Sequence, residues 1–294
     1  MERERWGIAV HPGMLTRMAP LQVIVLVSAA ACAFAWVASL VSGDTSWVDR
    51  SWSILPVIFV WVFASAAHLD NARLDVMAVV VTAWGSRLTF NFARKGGYSG
   101  VEDYRWSVLR SSMRRWQFQL LNLFFIVIYQ NLILVLLALP AWTAYQDRAT
   151  SFGPVDVVLA AAFLAFTVGE TIADEQQWRF QSWKRAEVEA ARTPSPRFVQ
   201  TGLFRYSRHP NYFFEIGQWW IFFLMGAVAA QSLLQWTVIG AFLLSLLFVG
   251  STAFTERITL SRYPEYVLYR QRTSPIVPWP ARSAPPILPV VQVN

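Results

Sequence analysis

Long apolar stretches separated by polar connections dominate the hydrophobic pattern of the chain. A helix of about 20 apolar residues is long enough to cross the hydrocarbon core of a bilayer. Seven such stretches lie near residues 20–42, 52–69, 73–92, 118–145, 155–173, 213–230 and 233–254. None alternates as a barrel strand would, and lipid offers no partner to an unpaired backbone group. The pattern therefore predicts an all-α polytopic protein, with seven transmembrane helices in a single membrane domain spanning 1–294.

The connections between these stretches carry most of the polar residues. The segments 87–117 and 174–212 are too long and too patterned to be simple connectors, so we expect them to build one cap of loops. The connection at 231–232 predicts a tight hairpin between the last two spans. The Pro-rich end from Pro275 to Pro289 is expected to run along the surface as an extended segment.

The distribution of basic residues predicts the orientation. Of the 25 lysines and arginines, 20 lie in the first loop, the two long connections and the tail, which are all on one side of the predicted spans. Cytoplasmic loops hold the excess of positive charge, so the C-terminus is expected in the cytoplasm and the N-terminus outside. The first apolar stretch is too long for a signal peptide and is expected to be retained. We expect the bacterial inner membrane, or the endoplasmic reticulum if the source is eukaryotic.

Composition narrows the function classes. With 55% hydrophobic and 15% charged residues, the chain is too apolar for an ordinary soluble domain. The net charge of +7 lies between apolar spans, so it indicates anionic lipid or an anionic ligand and no nucleic acid. A lone Cys32 and three scattered histidines, His11, His68 and His209, predict no disulfide framework and no metal site.

The stretch from Gly202 to Glu215 holds the densest group of polar residues beside an apolar span. Four of them precede or open the next helix: Arg205, Arg208, His209 and Asn211. Pro210 belongs in the first turn of a helix that begins near Asn211, because proline has no amide hydrogen. Basic residues at a helix N-terminus favour a phosphate site. The alternative is a topology signal with an aromatic belt.

Polar residues at or within the spans are expensive in lipid and are therefore candidates for function. Asp49 lies among tryptophans at the membrane face, where a carboxyl can hold and donate a proton; alternatively it caps the helix or pairs with Arg50. Arg87 and Asn91 share a helix face with Trp84 and are expected to face the bundle interior. Asn91 could bond an amide or a ribose, or serve as interhelical polar contact.

The fifth and seventh spans end in charged residues. Glu170, Asp174 and Gln177 share one helix face, and their carboxylates need donors from a ribose, a carboxamide or a nearby arginine. Glu256 and Arg257 follow the last span, where charges that snorkel to the interface are the alternative to a binding role.

Three segments resemble the steroid 5-alpha-reductase-like membrane reductases, in particular bacterial proteins with the reductase-type C-terminal domain. They are Gly169-Glu-x-x-Ala-Asp-x-Gln176, the Gly202–Glu215 stretch and Arg262-Tyr-Pro-Glu-Tyr266. The similarity is strongest from Gly169 to Pro278, inside a C-terminal region of about 155–280. The first half matches more loosely.

The resemblance implies a seven-helix bundle that opens to the cytoplasm, binds NADPH and reduces a carbon–carbon double bond conjugated to a ketone in a steroid or related lipid. It implies that the cofactor-binding residues are Arg87, Asn91, Asp174, Arg205, Tyr206, Arg208, His209, Asn211 and Glu256, with Arg179 and Lys184 as further phosphate ligands. It implies that the reacting end of the substrate lies near Asp49, Trp52, Trp84 and Tyr104. Trp84 stands where the steroid enzymes have a tyrosine, and an indole N–H donates a hydrogen bond but gives up no proton. Tyr104 or water would then act as the acid.

Two other function classes stay open. Membrane isoprenylcysteine carboxyl methyltransferases carry a similar Arg-His-Pro-x-Tyr stretch and bind S-adenosylmethionine. A dinucleotide with a 2′-phosphate needs several arginines, whereas the positively charged S-adenosylmethionine does not. The arginine-rich connections therefore favour the reductase. A non-catalytic lipid-binding protein would need no cofactor.

Overall fold

The computed structural model describes residues 19–281, which are predominantly helical. In chain order the helices are α1 (Pro20–Ser42), α2 (Trp47–Trp52), α3 (Leu55–Ala66), α4 (Ala72–Arg94), α5 (Tyr104–Ser112), α6 (Arg115–Leu121), α7 (Gln130–Gln146), α8 (Pro154–Glu189), α9 (Pro210–Ala229), α10 (Ile239–Arg262) and α11 (Tyr266–Arg272). A π-helix, Asn122–Tyr129, joins α6 to α7, and 3₁₀ turns lie at Gly202–Arg205 and Trp236–Val238. Within the described range, β pairing is limited to one isolated bridge between Ser207 and Ser274.

Seven helical segments within residues 19–281 are long and apolar enough to cross a membrane, which confirms the predicted fold class. They are Pro20–Ser42, Trp47–Ala66, Ala72–Arg94, Arg115–Gln146, Pro154–Glu189, Pro210–Ala229 and Val238–Arg262. The chain is therefore an integral membrane protein. The predictions for the N-terminal charges, for His11, for Arg282 and for the tail beyond residue 281 lie outside the described residues.

The second span consists of two helices. It begins at Trp47 rather than near residue 52, and α2 gives way to α3 at Ser53 and Ile54. The break lies where the chain packs against α4: a Cβ atom on Gly85 would come within 2.6 Å of the Ser53 carbonyl oxygen. Ser53 Oγ also lies 2.6 Å from Thr89 Oγ1, so α2 and α4 are held together at this level.

The fifth span is a correction to the predicted connection 174–212. The apolar stretch ends near residue 173, but α8 continues to Glu189. Glutamate, glutamine and arginine are frequent in the continuation and are good helix formers, so polarity ends the membrane segment without ending the helix. The cap is therefore built partly from helices, and α5 and α11 belong to it as well.

The connection between the last two spans is a second correction. The predicted tight hairpin at 231–232 is longer, because α9 ends at Ala229 and the 3₁₀ turn Trp236–Val238 precedes α10. The Trp236 ring packs on Trp142 of α7, with ring centroids 6.0 Å apart, which anchors this connection to the bundle. The last helix in turn extends to Arg262, beyond the predicted end at residue 254.

Helix α7 lies against both α9 and α10, and two glycines allow this close approach. A Cβ atom on Gly226 of α9 would lie 2.6 Å from the Pro140 carbonyl oxygen, and one on Gly240 of α10 would collide with the Leu136 carbonyl. Backbone atoms cannot move aside as a flexible side chain can. The two glycines therefore set the distance between these helices.

The two ends of the bundle differ in charge. At one end, Arg73 and Asp156 form a buried pair, with Nε donating to Oδ1 at 2.6 Å. At the other end, which we call the basic end, lie the 94–104 connection, the end of α8, the 190–209 segment and α11. Arg94 pairs with Glu175 at 2.7 Å, and Lys184 donates to the Tyr263 hydroxyl at 2.9 Å. These contacts confirm that the long connections and the tail assemble into one cap.

Candidate active-site cavity

A cavity of about 640 Å³ lies inside the bundle between α2, α4, α5, α8, α9, α10 and the π-helix. Apolar side chains form much of its wall, among them Trp52, Leu88, Phe125, Leu247 and Phe254. The cavity reaches the basic end at Lys95 and Asn211. Its volume falls in the range of about 300–1,000 Å³ that is usual for small-molecule sites.

Charged residues on the wall are mostly acidic. The carboxylates come from Asp49, Asp103, Glu170, Asp174 and Glu215, and the cations are Lys95 and Arg105. Burial lowers the pKa of Lys95, and Asp174 opposes that effect. Among residues 19–281, no three His, Cys, Asp or Glu side chains are grouped so as to hold a metal ion.

Arg87 holds two of these carboxylates in place from behind the wall. Its Nη1 donates to Asp174 Oδ2 at 2.5 Å, and its Nη2 lies 2.7 Å from Glu170 Oε1. The two ion pairs join α4 to α8, and the two carboxylates lie one turn apart on α8. The expectation that Arg87 faces inward is confirmed. Of the three donors considered for the α8 carboxylates, the nearby arginine is the one observed.

Helix α9 extends the acidic wall. Gln218 Nε2 donates to Glu170 Oε2 at 2.7 Å, and Thr167 Oγ1 donates to Gln218 Oε1 at 3.2 Å. Glu215 lies one turn before Gln218, and its buried Oε1 has no hydrogen-bond partner among residues 19–281. Glu215 therefore lies beside Glu170 on the acidic side of the cavity.

Asp49 lies at the corner where α2 meets α5. Its Oδ2 accepts a hydrogen bond from Trp106 Nε1 at 3.1 Å, whereas Arg50 pairs with Asp44 at 2.5 Å. Neither predicted alternative for Asp49, a pair with Arg50 or a helix cap, is observed. The carboxyl remains on the cavity wall.

Arg105 lies near Asp49 and connects α5 to α10. Its guanidinium donates to both oxygens of Asp103 and, at 2.8 Å, to Ser251 Oγ. Burial lowers the pKa of Arg105, but the hydrogen bonds to Asp103 outweigh that effect and raise it above its ordinary value. Arg105 therefore stays charged, with three of its five N–H donors committed to Asp103 and Ser251.

Three predicted cofactor residues form a separate cluster beside the cavity. Arg208 donates to Glu256 through Nε at 2.6 Å and through Nη2 at 3.1 Å, and its Nη1 donates to the carbonyl oxygens of Arg270 and Thr273. His209 Nε2 lies 3.4 Å from Glu256 Oε1. The predicted residues do meet, but the donors of Arg208 are already paired and are not free for a phosphate.

The remaining predicted phosphate ligands lie at the surface of the basic end. Arg205 and Tyr206 are exposed, Arg179 pairs with Glu175 at 2.7 Å, and Lys184 donates to the Arg197 carbonyl oxygen at 2.8 Å. None of them is on the cavity wall described above. Of the predicted cofactor set, the wall contains Asn91, Asp174 and Asn211, with Arg87 directly behind it.

The predicted catalytic residues fall into two groups, one on the cavity wall and one away from it. Asp49 and Trp52 line the cavity. Trp84 is fully buried in the core and packs edge-on against Trp219, with ring centroids 4.9 Å apart, so it cannot reach a ligand in the cavity. Tyr104 lies outside the wall, beneath the Arg262 guanidinium, and burial raises the pKa of its hydroxyl. The geometry does not favour direct roles for Trp84 and Tyr104.

Sequence reasoning gave no role to several polar residues on or next to the wall. Glu215 and Gln218 lie inside the sixth span and Gln130 inside the fourth. A polar residue within a hydrophobic stretch was the signal that could have identified them. Lys95, Asp103 and Arg105 lie in the 87–117 connection, and the sequence did not indicate that they line a cavity.

The whole cavity lies within a matched family region. The model of a family described as "Protein of unknown function (DUF1295)" matches residues 35–273. The "Uncharacterized protein C594.04c" of Schizosaccharomyces pombe is 38% identical over 259 residues, covering 83% of this chain and 75% of the yeast protein. No solved structure matches the chain.

Proposed function

The chain belongs to the DUF1295 family, and we propose that it is an NADPH-dependent membrane reductase acting on a carbon–carbon double bond conjugated to a ketone in a steroid or related lipid. The observation that carries this proposal is the cavity, which combines apolar walls, an acidic side and a connection to the basic end. The resemblance of Gly169 to Pro278 to steroid 5-alpha-reductase-like enzymes supports it.

The donors and acceptors on the wall fit a dinucleotide. Glu215 Oε1 is a buried acceptor without a protein partner among residues 19–281. Asn91 accepts from Arg94 Nε at 2.9 Å, and its NH₂ group makes no hydrogen bond within the same range. A ribose diol or a carboxamide supplies donors and acceptors together, so Asn91, Asp174, Asn211 and Glu215 would hold that part of the cofactor.

Cations at the basic end are suited to the phosphates. Arg205, Arg257 and Arg262 are exposed, and no carboxylate of the described residues lies within 4.0 Å of them. Exposed arginines with free donors bind phosphate oxygens strongly because each can present two N–H groups.

Three features of the cavity support enone reduction: its carboxylates, its apolar walls and a proton donor. When bound, NADPH supplies a hydride to the β carbon of the enone. The five carboxylates on the wall favour the positive charge that hydride loss leaves in the site. The apolar walls exclude water from the reacting atoms. Asp49, a carboxyl on the same wall, would deliver the proton that the α carbon takes up to complete the reduction.

Ligand-dependent thermal stability tests the proposal. The detergent-solubilised protein is heated with NADPH, NADH or S-adenosylmethionine, since a ligand that binds only the folded state raises the Tm. At a hundredfold excess over Kd, NADPH should add about 2.7 kcal/mol of stability. Asn211→Ala should reduce this shift, whereas Leu132→Ala, on a side chain exposed on α7, should leave it intact. Equal NADPH-dependent Tm shifts in Asn211→Ala and the parent protein would show that Asn211 does not bind the cofactor.

One observation favours a second candidate. The wall carries five carboxylates and two cations, and Arg87 behind it pairs with two of the carboxylates. The remaining acidic excess would also suit the positively charged sulfonium of S-adenosylmethionine, as in the isoprenylcysteine carboxyl methyltransferases. A Tm shift with S-adenosylmethionine alone would establish this candidate and exclude the reductase. A shift with neither cofactor would favour the lipid-binding class.

A further inference from the structure

Gln130 is a buried polar side chain on the cavity wall that has no hydrogen-bond partner among the described residues. It is 4% exposed and lies near the middle of the fourth span, Arg115–Gln146. Its side-chain amide makes no hydrogen bond to any of residues 19–281, although it lines the cavity. Unlike Asn131 Oδ1, the amide atoms of Gln130 are not sealed inside the protein, so they face the cavity and can meet a polar atom there.

Its neighbours behave differently. Asn131 Nδ2 donates to the Val127 carbonyl oxygen at 2.8 Å, and Asn122 Nδ2 donates to Ser39 Oγ at 2.9 Å. Both asparagines therefore satisfy their donors within the helical bundle. Their Oδ1 atoms are buried without a partner among residues 19–281, so the contrast concerns the donors only. Of the three amides, Gln130 is the one that faces the cavity.

The π-helix explains why Gln130 faces the cavity. Phe125, Tyr129 and Gln130 all line it, and the rings of Phe125 and Tyr129 stack with centroids 5.4 Å apart. In an α-helix, Gln130 would lie about 140° around the axis from Phe125. The wider turn of the π-helix over Asn122–Tyr129 reduces this angle between the two positions. The Asn122–Tyr129 segment thus turns both an aromatic wall and an amide toward the same space.

Other donors on the wall are less suited to a substrate oxygen. Arg105 is committed to Asp103 and Ser251, and the Trp106 indole donates to Asp49. Asn91 and Asn211 lie near the ends of α4 and α9 at the basic end, on the side where the phosphates would bind. Gln130 lies farther along its span, where the reacting end of a lipid would be.

We propose that the Gln130 side-chain amide donates a hydrogen bond to the ketone oxygen of the substrate, an inference that rests on the proposed reductase function. The ketone oxygen gains negative charge as hydride reaches the β carbon, and a fixed amide donor stabilises that charge. Gln130 would then have the hydrogen-bonding role that the resemblance assigns to Trp84, whose indole lies in the core.

A coupling measurement tests this contact. Two probes are used, a 3-oxo-Δ4 steroid and the same steroid without the 3-oxygen, with NADP⁺ present so that no hydride can be transferred. Binding is followed by fluorescence, because Trp52 and Trp106 line the cavity. The parent protein should bind the ketone roughly two- to tenfold more tightly than the deoxy probe, which is the net effect of one hydrogen bond. Gln130→Met keeps the length of the side chain and should bring this ratio to about one.

Controls separate the possible failures. Leu132→Ala, at a side chain 48% exposed on the same helix, should keep the parent ratio. Gln130→Asn should lower it if the longer side chain is needed for reach. An unchanged ratio in Gln130→Met, or no discrimination by the parent protein, would overturn the inference while the NADPH-dependent Tm shift still supports the reductase. Absence of that shift in the parent protein would instead reject the reductase itself.

Discussion

Arg87 is the residue on which the acidic wall depends. It is the shared partner of Glu170 and Asp174, with N–O distances of 2.7 and 2.5 Å, and these side chains are nearly inaccessible. Removing one member of a buried ion pair leaves the other charge without compensation, which costs more than the pair contributes. Arg87 therefore supports both the fold and the position of two cavity carboxylates.

We expect Arg87→Met to lower the free energy of unfolding by about 3–5 kcal/mol and to weaken the NADPH-dependent Tm shift. The exposed pair of Arg179 with Glu175 offers a comparison, because Arg179 is 78% exposed and such pairs contribute about 1 kcal/mol or less. Denaturant unfolding of Arg87→Met and Arg179→Gln in detergent measures the difference.

The Arg73–Asp156 pair provides a control that distinguishes an effect on stability from an effect on the cofactor site. Both side chains are 1% exposed, and they lie at the end opposite to the basic end. Arg73→Met should destabilise the protein about as much as Arg87→Met, yet it should retain the NADPH-dependent shift. If both variants lose the shift equally, the role of Arg87 is structural only.

Single residues were predictable where their presence in lipid had a cost. Arg87 and Asn91 were expected to face inward because no lipid-facing position would tolerate them, and both do. Partners distant in sequence were harder to predict. The resemblance assigns both Arg208 and Glu256 to a cofactor, but nothing in the sequence indicates that they pair with each other. Trp84 shares a helix face with Arg87, but the packing of Trp219 from α9 decides that it lies in the core.

At the scale of helices, hydropathy identified every span but not every helix end. The end of α8 was missed because the sequence becomes polar at residue 174 while remaining favourable to helix. The π-helix was missed because a shift from i+4 to i+5 hydrogen bonding leaves no trace in the apolar pattern of Asn122–Tyr129. The Gly202–Glu215 stretch indicated the correct helix start, since α9 begins at Pro210.

Two glycines on α10 provide a matched test of helix packing. At Gly240 a Cβ atom would collide with the Leu136 backbone of α7, whereas at Gly250 nothing lies within 4 Å. We expect Gly240→Ala to destabilise the protein by about 1–3 kcal/mol through overpacking. Gly250→Ala should stabilise it by about 0.5–1 kcal/mol, because alanine is the better helix former. Thermal unfolding of both variants decides the matter, and equal effects would contradict the close α7–α10 contact.

At the scale of the whole molecule, the net charge of +7 overstates the capacity for anions. Many arginines at the basic end already pair with carboxylates, among them Arg94 with Glu175 and Arg208 with Glu256. The sequence shows how many cations lie on one side of the membrane, but pairing is a property of the folded cap. The cations left over, such as Arg205, are the ones an anionic ligand could use.

The charge asymmetry of the bundle also predicts its orientation, because basic connections are retained in the cytoplasm. In a Cys32→Ser background, a cysteine is introduced at Ser261, exposed at the basic end, or at Leu234, 95% exposed in the connection between α9 and α10. A membrane-impermeant maleimide added to intact cells should label Leu234→Cys and should label Ser261→Cys only after the membrane is opened. The reverse pattern would place the basic end outside. The cavity would then open away from the cytosolic pool of NADPH, so this measurement also bears on the proposed reaction.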